Sequence, residues 1–204
     1  EVEGVYVQDR EIISREPGRV RSICSVDDLL IPGAHNQANA CAATCAAVAA
    51  GIGADVIAEA LATFEGVEHR LEYCGTSNGV SYYNDSIATS PERTMVALKA
   101  LVQPVVLIAG GSDKGLGYAE MGQLVAEKAK QVVLIGETAD KIEASITGVG
   151  VDRAESLEEA IIIAGRYAAS GEAVLLSPAS ASFDMFANFE ERGLTFKKLV
   201  KGLA

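Results

Sequence analysis

The sequence predicts an α/β protein in which helices cover both faces of a Rossmann-like, mostly parallel sheet. Three continuous apolar runs, 105–109, 132–135 and 173–176, are rich in β-branched residues. Runs of this length are typical of parallel strands that are buried on both faces. Helical patterns alternate with these runs, and such alternation predicts an open parallel sheet. The predicted helices span residues 91–101, 121–129 and 157–169.

The chain before this alternation has a different pattern. Three short strands are predicted there, at 5–7, 11–14 and 27–31, the first two around an Asp-Arg turn. A helix from Asn36 to Ala50 carries Ala, Cys or Val on nearly every face, so we expect it to be buried. Gly51 to Gly53 should end this helix before a second one at 54–63.

A pair of strands marks the start of the second part. The strands are predicted at 69–73 and 80–83, joined by the polar turn 75–79. We therefore divide the chain into two domains, residues 1–68 and residues 69–204.

Composition excludes several classes of function. The 204 residues are 49% hydrophobic and 22% charged, which is typical of a soluble chain with a packed core. The net charge of -11 argues against a nucleic-acid partner, because such domains usually carry a basic face. No apolar run approaches the roughly 20 residues of a membrane span. Since no secretory leader is recognisable, we expect a cytoplasmic setting. We also expect a monomer. The chain opens at Glu1 instead of Met, and we interpret it as a piece of a longer protein.

The cysteines are interpreted as small core residues. Cys41 and Cys45 lie four residues apart in the Ala-rich helix, where a free thiol behaves as a small hydrophobe. The same interpretation applies to Cys24 and Cys74. The sequence has no CxxC pair and only two His residues, so we expect no metal site.

Three polar loops follow predicted strands. Because ligands bind where loops leave the carboxyl ends of parallel strands, these loops should meet at one edge of the sheet. They are Asn84-Asp85-Ser86-Ile87-Ala88-Thr89, Gly110-Gly111-Ser112-Asp113-Lys114-Gly115 and Ser177-Pro178-Ala179-Ser180-Ala181-Ser182.

The loop that begins at Gly110 has the simplest chemistry. Gly110 and Gly111 let the backbone turn sharply and a ligand approach closely. Lys114 offers a mobile positive charge for a carboxylate or a phosphate. The spacing is not that of a Walker A phosphate loop. The alternative is a tight turn with a solvated lysine.

The loop that begins at Ser177 carries three hydroxyls within six residues. These hydroxyls either bind a carboxylate or cap the following helix. Phe183, Phe186 and Phe189 then recur every three residues, a spacing that indicates first a stripe of core residues.

The loop that begins at Asn84 also has two interpretations. Asp85 is placed to hold a ribose hydroxyl, or it caps its own loop as an Asx turn. Ser90-Pro91 is a good helix start, whereas Thr89 and Glu92 have the spacing of a capping box.

Two asparagines stand at the start of the Ala-rich helix. One of Asn36 and Asn39 should serve as the N-cap. The other asparagine is not needed as a cap, and its side-chain amide could form hydrogen bonds with the edge of a purine base. We expect His35, beside them, to have a structural role.

Taken in this order, the segments resemble the Mur ligase family. The resemblance covers the chain from about residue 30 onward. Its most specific part is the Ser-Pro-Ala segment with the Asn-Phe-Glu sequence after it, which is similar to the members that use D-glutamate. The matching segments are residues 33–39, 69–70, 84–89, 110–114, 176–184 and 188–193.

The resemblance implies a three-domain, ATP-dependent amide ligase of peptidoglycan synthesis. Residues 1–68 would be the tail of the central ATPase domain, and residues 69–204 the Rossmann-like third domain, which docks the incoming amino acid. In such a ligase, ATP phosphorylates the carboxylate of UDP-N-acetylmuramoyl-L-alanine, and the amine of D-glutamate attacks the acyl phosphate. Catalysis is mostly positioning, with Mg²⁺ and Lys neutralising charge.

The family's binding roles pass to the matching residues. Asn36 and Asn39 would face the adenine of ATP, Arg70 would reach the nucleotide phosphates across an interdomain cleft, and Asp85 would hold the ribose. The D-glutamate site would consist of Thr89, Lys114, Ser182, Phe183 and Phe189.

We expect no catalytic residue and no metal ligand within these 204 residues. The sequence lacks the Walker A spacing, and the family's Mg²⁺ ligands belong to the part of the central domain that is not included. The chain alone should therefore be inactive.

One position departs from the family pattern. Many members carry Lys between the Ser and the Ala of the Asn84 loop, where this chain has Ile87. An apolar side chain cannot neutralise an acyl phosphate. Either Lys114 and the central domain suffice, or the substrate geometry differs slightly.

Two other functions remain open at this point. A related ligase could act on another amino acid or on a folate, and amino-acid-dependent ADP release distinguishes the two. A non-catalytic nucleotide-binding domain is also compatible, because a fold alone does not decide function. A Walker A loop upstream of Glu1 would favour the ligase.

Overall fold

The computed structural model describes residues 3–203. The chain forms two compact units, Glu1–Gly66 and Val67–Ala204. This division lies two residues before the domain boundary that the sequence predicts.

The first unit is a three-stranded antiparallel sheet with two helices. The strands follow one another in the order β1-β2-β3. Ile12, Ile23 and Val26 form its core together with Ala40 and Ile57 of the helices. Its elements are β1 (Gly4–Gln8), β2 (Glu11–Glu16), β3 (Arg19–Ser25), a 3₁₀ turn (Val26–Asp28), α1 (Ala34–Ala49) and α2 (Ala54–Thr63).

The first two predicted strands are confirmed, but the predicted strand at 27–31 is wrong. The third strand lies earlier, at Arg19–Ser25, and the chain then turns. The reason is a capping box: the Ser25 hydroxyl accepts from the Asp27 amide at 3.2 Å, and Asp28 Oδ2 accepts from the Ser25 amide at 3.1 Å. These bonds favour a helical turn over an extended strand.

Helix α1 begins two residues earlier than predicted, and it is not buried all round. Among its residues only Ala40 and Thr44 are buried. Its short side chains pack on β1 and β2 along one face, and a three-stranded sheet covers no more than one face of a helix. An apolar composition on every face therefore does not guarantee burial.

The second unit alternates strands and helices. Its helices α3, α4 and α6 and its strands β6, β7 and β9 confirm the predicted elements to within three residues at each end. Its elements are β4 (Glu72–Ser77), β5 (Val80–Asn84), α3 (Pro91–Ala100), β6 (Val105–Gly110), α4 (Ala119–Lys128), β7 (Ala129–Ile135), α5 (Ala139–Glu143), β8 (Gly150–Arg153), α6 (Leu157–Tyr167), β9 (Ala173–Leu176) and α7 (Phe189–Lys201).

The six strands of this unit form one sheet in the order β4-β5-β9-β6-β7-β8. Strand β4 is antiparallel to β5, and the other neighbouring pairs are parallel. Alternate residues of each central strand enter two separate cores. Leu107 packs with α3, α4 and α5 on one face, and Ile108 packs with α6 and α7 on the other. The predicted Rossmann-like sheet with helices on both faces is confirmed.

The predicted strand pair at 69–73 and 80–83 exists, but its first strand starts later, at Glu72. His69 and Leu71 have φ angles of 65° and 45°, which an extended strand does not allow. The turn is Asn78-Gly79 and is shorter than predicted, because both residues adopt positive φ as a two-residue hairpin requires.

In the second unit, the periodicity does not predict α5 and β8. It also gives no bounds for α7. Helix α5 and strand β8 have five and four residues, too few to show a period. In residues 3–203 no helix combines the length and the apolar composition that a membrane crossing requires.

Candidate functional site

The three polar loops leave three adjacent strands, as predicted. β9 lies between β5 and β6 in the sheet, and all three strands are parallel. Because neighbouring strands are about 4.8 Å apart, the outer two loops begin within about 10 Å of each other.

The chain leaves these strands toward opposite faces. After β5 and β6 it enters α3 and α4, which pack in one core, whereas after β9 it enters α7, which packs in the other. A change of face between neighbouring parallel strands opens the sheet edge, and this is where α/β proteins bind their ligands.

The loops after β6 and β9 are joined by backbone hydrogen bonds. The Gly110 amide donates to the Pro178 carbonyl at 2.8 Å, and the Ser112 amide donates to the Ala181 carbonyl at 2.9 Å. Gly111 has a φ of 146°, and a Cβ there would lie 2.1 Å from the Ala181 carbonyl oxygen. Glycine is therefore required at position 111 for the two loops to approach.

Asp184 holds these loops to the one after β7. Its Oδ1 accepts from the Ser112 hydroxyl at 3.2 Å, and its Oδ2 accepts from the Glu137 amide at 3.1 Å. Its own amide donates to the Ser112 hydroxyl at 2.6 Å. One carboxylate thus positions the ends of three strands, a role that the sequence did not predict.

The three hydroxyls of the β9 loop differ in what they contact. Ser177 Oγ donates to Asp85 Oδ2 at 2.7 Å. Ser180 Oγ lies 2.9 Å from both the Tyr118 and the Thr138 hydroxyls. Ser182 is 2% exposed, and its hydroxyl makes no hydrogen bond to any residue between 3 and 203. Of the three, Ser182 is the one that the fold leaves available to a ligand.

The alternative interpretation of these serines as helix caps is wrong. The N-cap of α7 is Asn188, whose Oδ1 accepts from the Glu191 amide at 2.7 Å. The interpretation of the phenylalanines as a core stripe is wrong for Phe183, which is 73% exposed, whereas Phe186 packs against the core. Phe189 is half-buried, and its ring meets the imidazole of His69 edge to face at a centroid distance of 6.1 Å.

Lys114 projects from the β6 loop into solvent. Within the described part of the chain it makes no ion pair, whereas its neighbour Asp113 pairs with Lys141 and accepts from the Gly115 amide at 2.8 Å. Asp113 therefore shapes the loop, and Lys114 stays free to bind an anion.

Helix α3 starts at Ser90-Pro91, as predicted. Ser90 is the N-cap and Pro91 occupies the first turn, so the capping-box interpretation of Thr89 is wrong. Thr89 is half-buried, and its hydroxyl has no partner in the described chain.

Asp85 is 5% exposed, and its carboxylate accepts hydrogen bonds from two segments that are distant in sequence. Its Oδ1 accepts from the Leu71 amide at 3.1 Å, and its Oδ2 accepts from Ser177. The local Asx turn is formed by Asn84, whose Oδ1 accepts from the Ser86 amide at 3.1 Å, so that interpretation of Asp85 is wrong.

Burial raises the pKa of Asp85 to about 6. The hydrogen bonds from Ser177 and Leu71, together with the charges of Arg70 and Arg93, oppose this rise. Ionisation of the Asp85 carboxyl group is therefore less favourable in the folded chain than in water.

Arg192 is the central residue of the site, and its role was not predicted. Its guanidinium is 1% exposed. Nε donates to the Ser86 hydroxyl at 3.0 Å, Nη1 to the Ala181 carbonyl at 3.0 Å, and Nη2 to the Ser86 and Ser180 carbonyls at 3.0 and 3.1 Å. Burial lowers its pKa to about 10.

The signal for Arg192 was present in the sequence. Arg192, Phe196 and Val200 recur every four residues and are all buried in α7. A charged residue on the core stripe of an amphipathic helix needs internal partners. Here the partners are the loops after β5 and β9.

The two predicted adenine ligands lie in the first unit, at the start of α1. The N-cap of α1 is Gly33, so the prediction of an asparagine cap is wrong. Asn36 Nδ2 donates to the Pro32 carbonyl at 2.8 Å, and Asn39 Nδ2 donates to Asn36 Oδ1 at 3.3 Å. Asn39 is exposed.

The cysteines are free thiols. Burial raises the pKa of Cys74 to about 12, so this thiol is not an activated nucleophile. Across residues 3–203 no group of three His, Cys, Asp or Glu side chains is arranged to hold a metal ion.

Comparison with solved structures supports the fold. Two similar structures are UDP-N-acetylmuramate-alanine ligase MurC from Thermotoga maritima, with a TM-score of 0.68 at 17% identity, and MurF ligase from the same organism in complex with ADP, with 0.63 at 17%. The similarity covers 96% and 99% of this chain and 44% and 47% of those chains. At this identity it shows the fold alone.

Sequence relatives are much closer. The chain is 45% identical over 206 residues to the UDP-N-acetylmuramoylalanine--D-glutamate ligase of Symbiobacterium thermophilum, covering 99% of this chain and 45% of that protein. It is 47% identical over 201 residues to the ligase of the same name from Koribacter versatilis, covering 98% and 44%. The chain thus spans less than half the length of these relatives.

The family model described as Mur ligase, glutamate ligase domain matches residues 69–180. This segment is more than half of the chain, and it contains β4 to β9 with the loops after β5 and β6 and the first part of the loop after β9. The chain therefore belongs to the Mur ligase family.

Proposed function

We propose that the chain is the carboxy-terminal half of the ATP-dependent ligase that adds D-glutamate to UDP-N-acetylmuramoyl-L-alanine. The observation that carries this proposal is the 45 to 47% identity to D-glutamate ligases over nearly the whole chain. In this proposal the second unit, Val67–Ala204, docks the amino acid, and Glu1–Gly66 is the tail of the ATP-binding domain.

The site has the chemistry that a dicarboxylate amino acid needs. Lys114 provides a free cation, and Ser182 and Thr89 provide hydroxyls that the fold does not use. Charge-assisted hydrogen bonds to a carboxylate are about twice as strong as neutral ones. Phe183 and Phe189 would cover the aliphatic part of D-glutamate, and the exposure of Phe183 supports this role.

The roles proposed for ATP involve four residues. The amides of Asn36 and Asn39 suit the adenine, and the guanidinium of Arg70 suits the phosphates. Asp85 would accept from a ribose hydroxyl. Its oxygens already accept from Leu71 and Ser177, but a carboxylate has about four acceptor positions.

Mg²⁺ and the triphosphate need groups beyond these residues. The 204-residue sequence contains no GxxxxGK[ST] loop, which cradles the phosphates in P-loop enzymes. When bound, ATP supplies the phosphoryl group that activates the substrate carboxylate. The residues of this chain would then hold the amine of D-glutamate in line with that carboxylate and exclude competing water.

Amino-acid-dependent ADP release tests the proposal. The full-length protein should release ADP with UDP-N-acetylmuramoyl-L-alanine and D-glutamate, but not when L-alanine, L-lysine or meso-diaminopimelate replaces D-glutamate. A strong preference for one of those amino acids would contradict the proposal. The 204-residue chain alone should release no ADP. ADP release by this chain, purified free of contaminants, would contradict the proposal that ATP cleavage needs groups outside it.

A further inference from the structure

We propose that Arg93 is a second anion-binding residue of the site, which acts with Arg70 on one phosphate group of a nucleotide. This inference rests on the proposed function. Lys114 and the residues around it are assigned to the amino acid, and Arg93 has no role in that assignment.

The position of Arg93 comes from the start of α3. Arg93 lies in the first turn of this helix, and helical side chains point back toward the amino terminus. Its Nη1 donates to the Ile87 carbonyl at 3.0 Å. The apolar Ile87 thus brings no charge of its own, but its peptide group holds a guanidinium over the loop after β5.

Ile87 is also bonded, through its backbone amide, to the segment that carries Arg70. The Ile87 amide donates to the His69 carbonyl at 3.2 Å, and Arg70 is the next residue. Ile87 therefore joins the two arginines through hydrogen bonds on its two sides. Both side chains are exposed.

Arg70 is presented by a constrained backbone. The residues on both sides of it, His69 and Leu71, have φ angles of 65° and 45°, which are unfavourable for residues of this size. Glu72 holds the His69 amide at 2.9 Å, and Asp85 holds the Leu71 amide at 3.1 Å. Strained backbone that is stabilised by its surroundings is concentrated at functional sites.

Neither arginine forms an ion pair with a carboxylate in the described part of the chain, and both act on Asp85 only through their charge. Arg10, Arg21 and Arg153 all form ion pairs, whereas Arg70 and Arg93 form none with any residue from 3 to 203. The nearby acids are otherwise engaged. Asp85 accepts from Leu71 and Ser177, and Glu72 pairs with Lys197.

Two guanidinium groups that are both linked to Ile87 favour a phosphate over a carboxylate. A phosphate group offers three acceptor oxygens and more than one negative charge, and guanidinium forks bind it through pairs of parallel hydrogen bonds. Lys114 belongs to the β6 loop, and β9 lies between this loop and the loop after β5. The loops after β5 and β6 begin about 10 Å apart, so the site has two separate cationic parts. One suits a phosphate, and the other suits the amino-acid carboxylate.

Titration of the 204-residue chain with sodium pyrophosphate tests this inference. Arg93→Met and Arg70→Met should each weaken pyrophosphate binding about tenfold, as expected for the loss of a charge-assisted contact. Arg93→Lys, which keeps the charge but loses the fork, should fall between wild type and Arg93→Met. The matched control is Lys99→Met, which removes one exposed positive charge from the other end of α3 and should change the affinity less than about twofold.

A second titration, with D-glutamate, separates the two proposals. Arg93→Met should leave D-glutamate affinity unchanged. The inference is overturned if wild type does not bind pyrophosphate, if Arg93→Met and Lys99→Met weaken pyrophosphate binding equally, or if Arg93→Met weakens D-glutamate binding as much. If those results occur while D-glutamate binding still depends on Lys114, the proposed function stands without Arg93. If pyrophosphate binding depends on Arg93 but D-glutamate does not bind, the anion pair stands and the amino-acid assignment fails.

Discussion

The buried guanidinium of Arg192 binds Ser86 twice, through Nε to the hydroxyl at 3.0 Å and through Nη2 to the carbonyl at 3.0 Å. The Ser86 hydroxyl in turn donates to the Phe189 carbonyl at 2.8 Å. Helix α7 is therefore fastened to the loop after β5, and the same guanidinium holds the loop after β9 through Ala181. The site loops are positioned by hydrogen bonds from a residue that no ligand needs to touch.

Replacing Arg192 should destabilise the second unit strongly. Arg192→Met leaves the carbonyls of Ser86 and Ser180 without this donor, and a buried acceptor that loses its partner costs about 1 to 3 kcal/mol. Urea unfolding of the chain measures the loss. Arg166→Met, an exposed arginine on α6, is the control and should cost less than about 0.5 kcal/mol. A loss below about 1 kcal/mol for Arg192→Met would show that the network is not essential.

Asp85 should make stability fall as pH rises from about 4 to about 6. Burial raises its folded pKa to about 6, above the unfolded value of about 3.9. The folded state therefore binds the proton more tightly. The stabilisation from that proton is complete below the unfolded pKa and is lost as pH rises through the folded pKa.

The comparison with Asp85→Asn isolates this effect. Between pH 4 and pH 7, wild type should lose about 2 kcal/mol relative to the variant. Two pKa units correspond to about 2.7 kcal/mol in full, but the unfolded carboxyl group is already about half ionised at pH 4. Unfolding free energies at four pH values give the difference. A constant difference across this range would mean that Asp85 does not titrate there.

Gly111 should not tolerate a side chain. A Cβ at this position would lie 2.1 Å from the Ala181 carbonyl oxygen, so Gly111→Ala must break the contact between the loops after β6 and β9. We expect a loss of about 2 to 3 kcal/mol in thermal or urea unfolding. At Gly117 nothing lies within 4 Å of an added Cβ, so Gly117→Ala is the control, with a change below about 0.5 kcal/mol. Equal effects would show that the close approach is not required.

Phe183 should contribute to binding and not to stability. Because it is 73% exposed, Phe183→Ala should change the unfolding free energy by less than about 0.5 kcal/mol. If its ring covers bound D-glutamate, the same change should weaken D-glutamate binding about fivefold, as expected when part of a ring contact is lost. Val102, which is 98% exposed before the start of β6, provides the control Val102→Ala. Unchanged binding in Phe183→Ala would remove this residue from the site.

The strands of the central sheet could be predicted because their residues carry the signal locally. Val105 to Ala109 and Ala173 to Leu176 are buried on both faces, so each run is apolar throughout. The position of β9 between β5 and β6 depends on pairing with distant residues, and no local pattern encodes it. The convergence of the three loops was nevertheless predictable, since parallel strands end at one edge of the sheet.

The site was predicted less completely, because local chemistry does not show which groups the fold uses itself. Ser177, Ser180 and Ser182 look equivalent in sequence, but two of them bond to internal partners and the third does not. Arg192 and Asp184 were missed for the opposite reason. Their partners lie in loops that are far away in sequence, so their importance appears only after folding.

The most direct test of the account is the affinity of the 204-residue chain for D-glutamate in wild type and in Lys114→Met. The proposed amino-acid site lies on the loops of this chain, so wild type should bind D-glutamate, and Lys114→Met should bind it about tenfold more weakly. Lys128→Met, an exposed lysine at the end of α4, should retain wild-type affinity. No binding by wild type, or equal binding by the two lysine variants, would contradict the account.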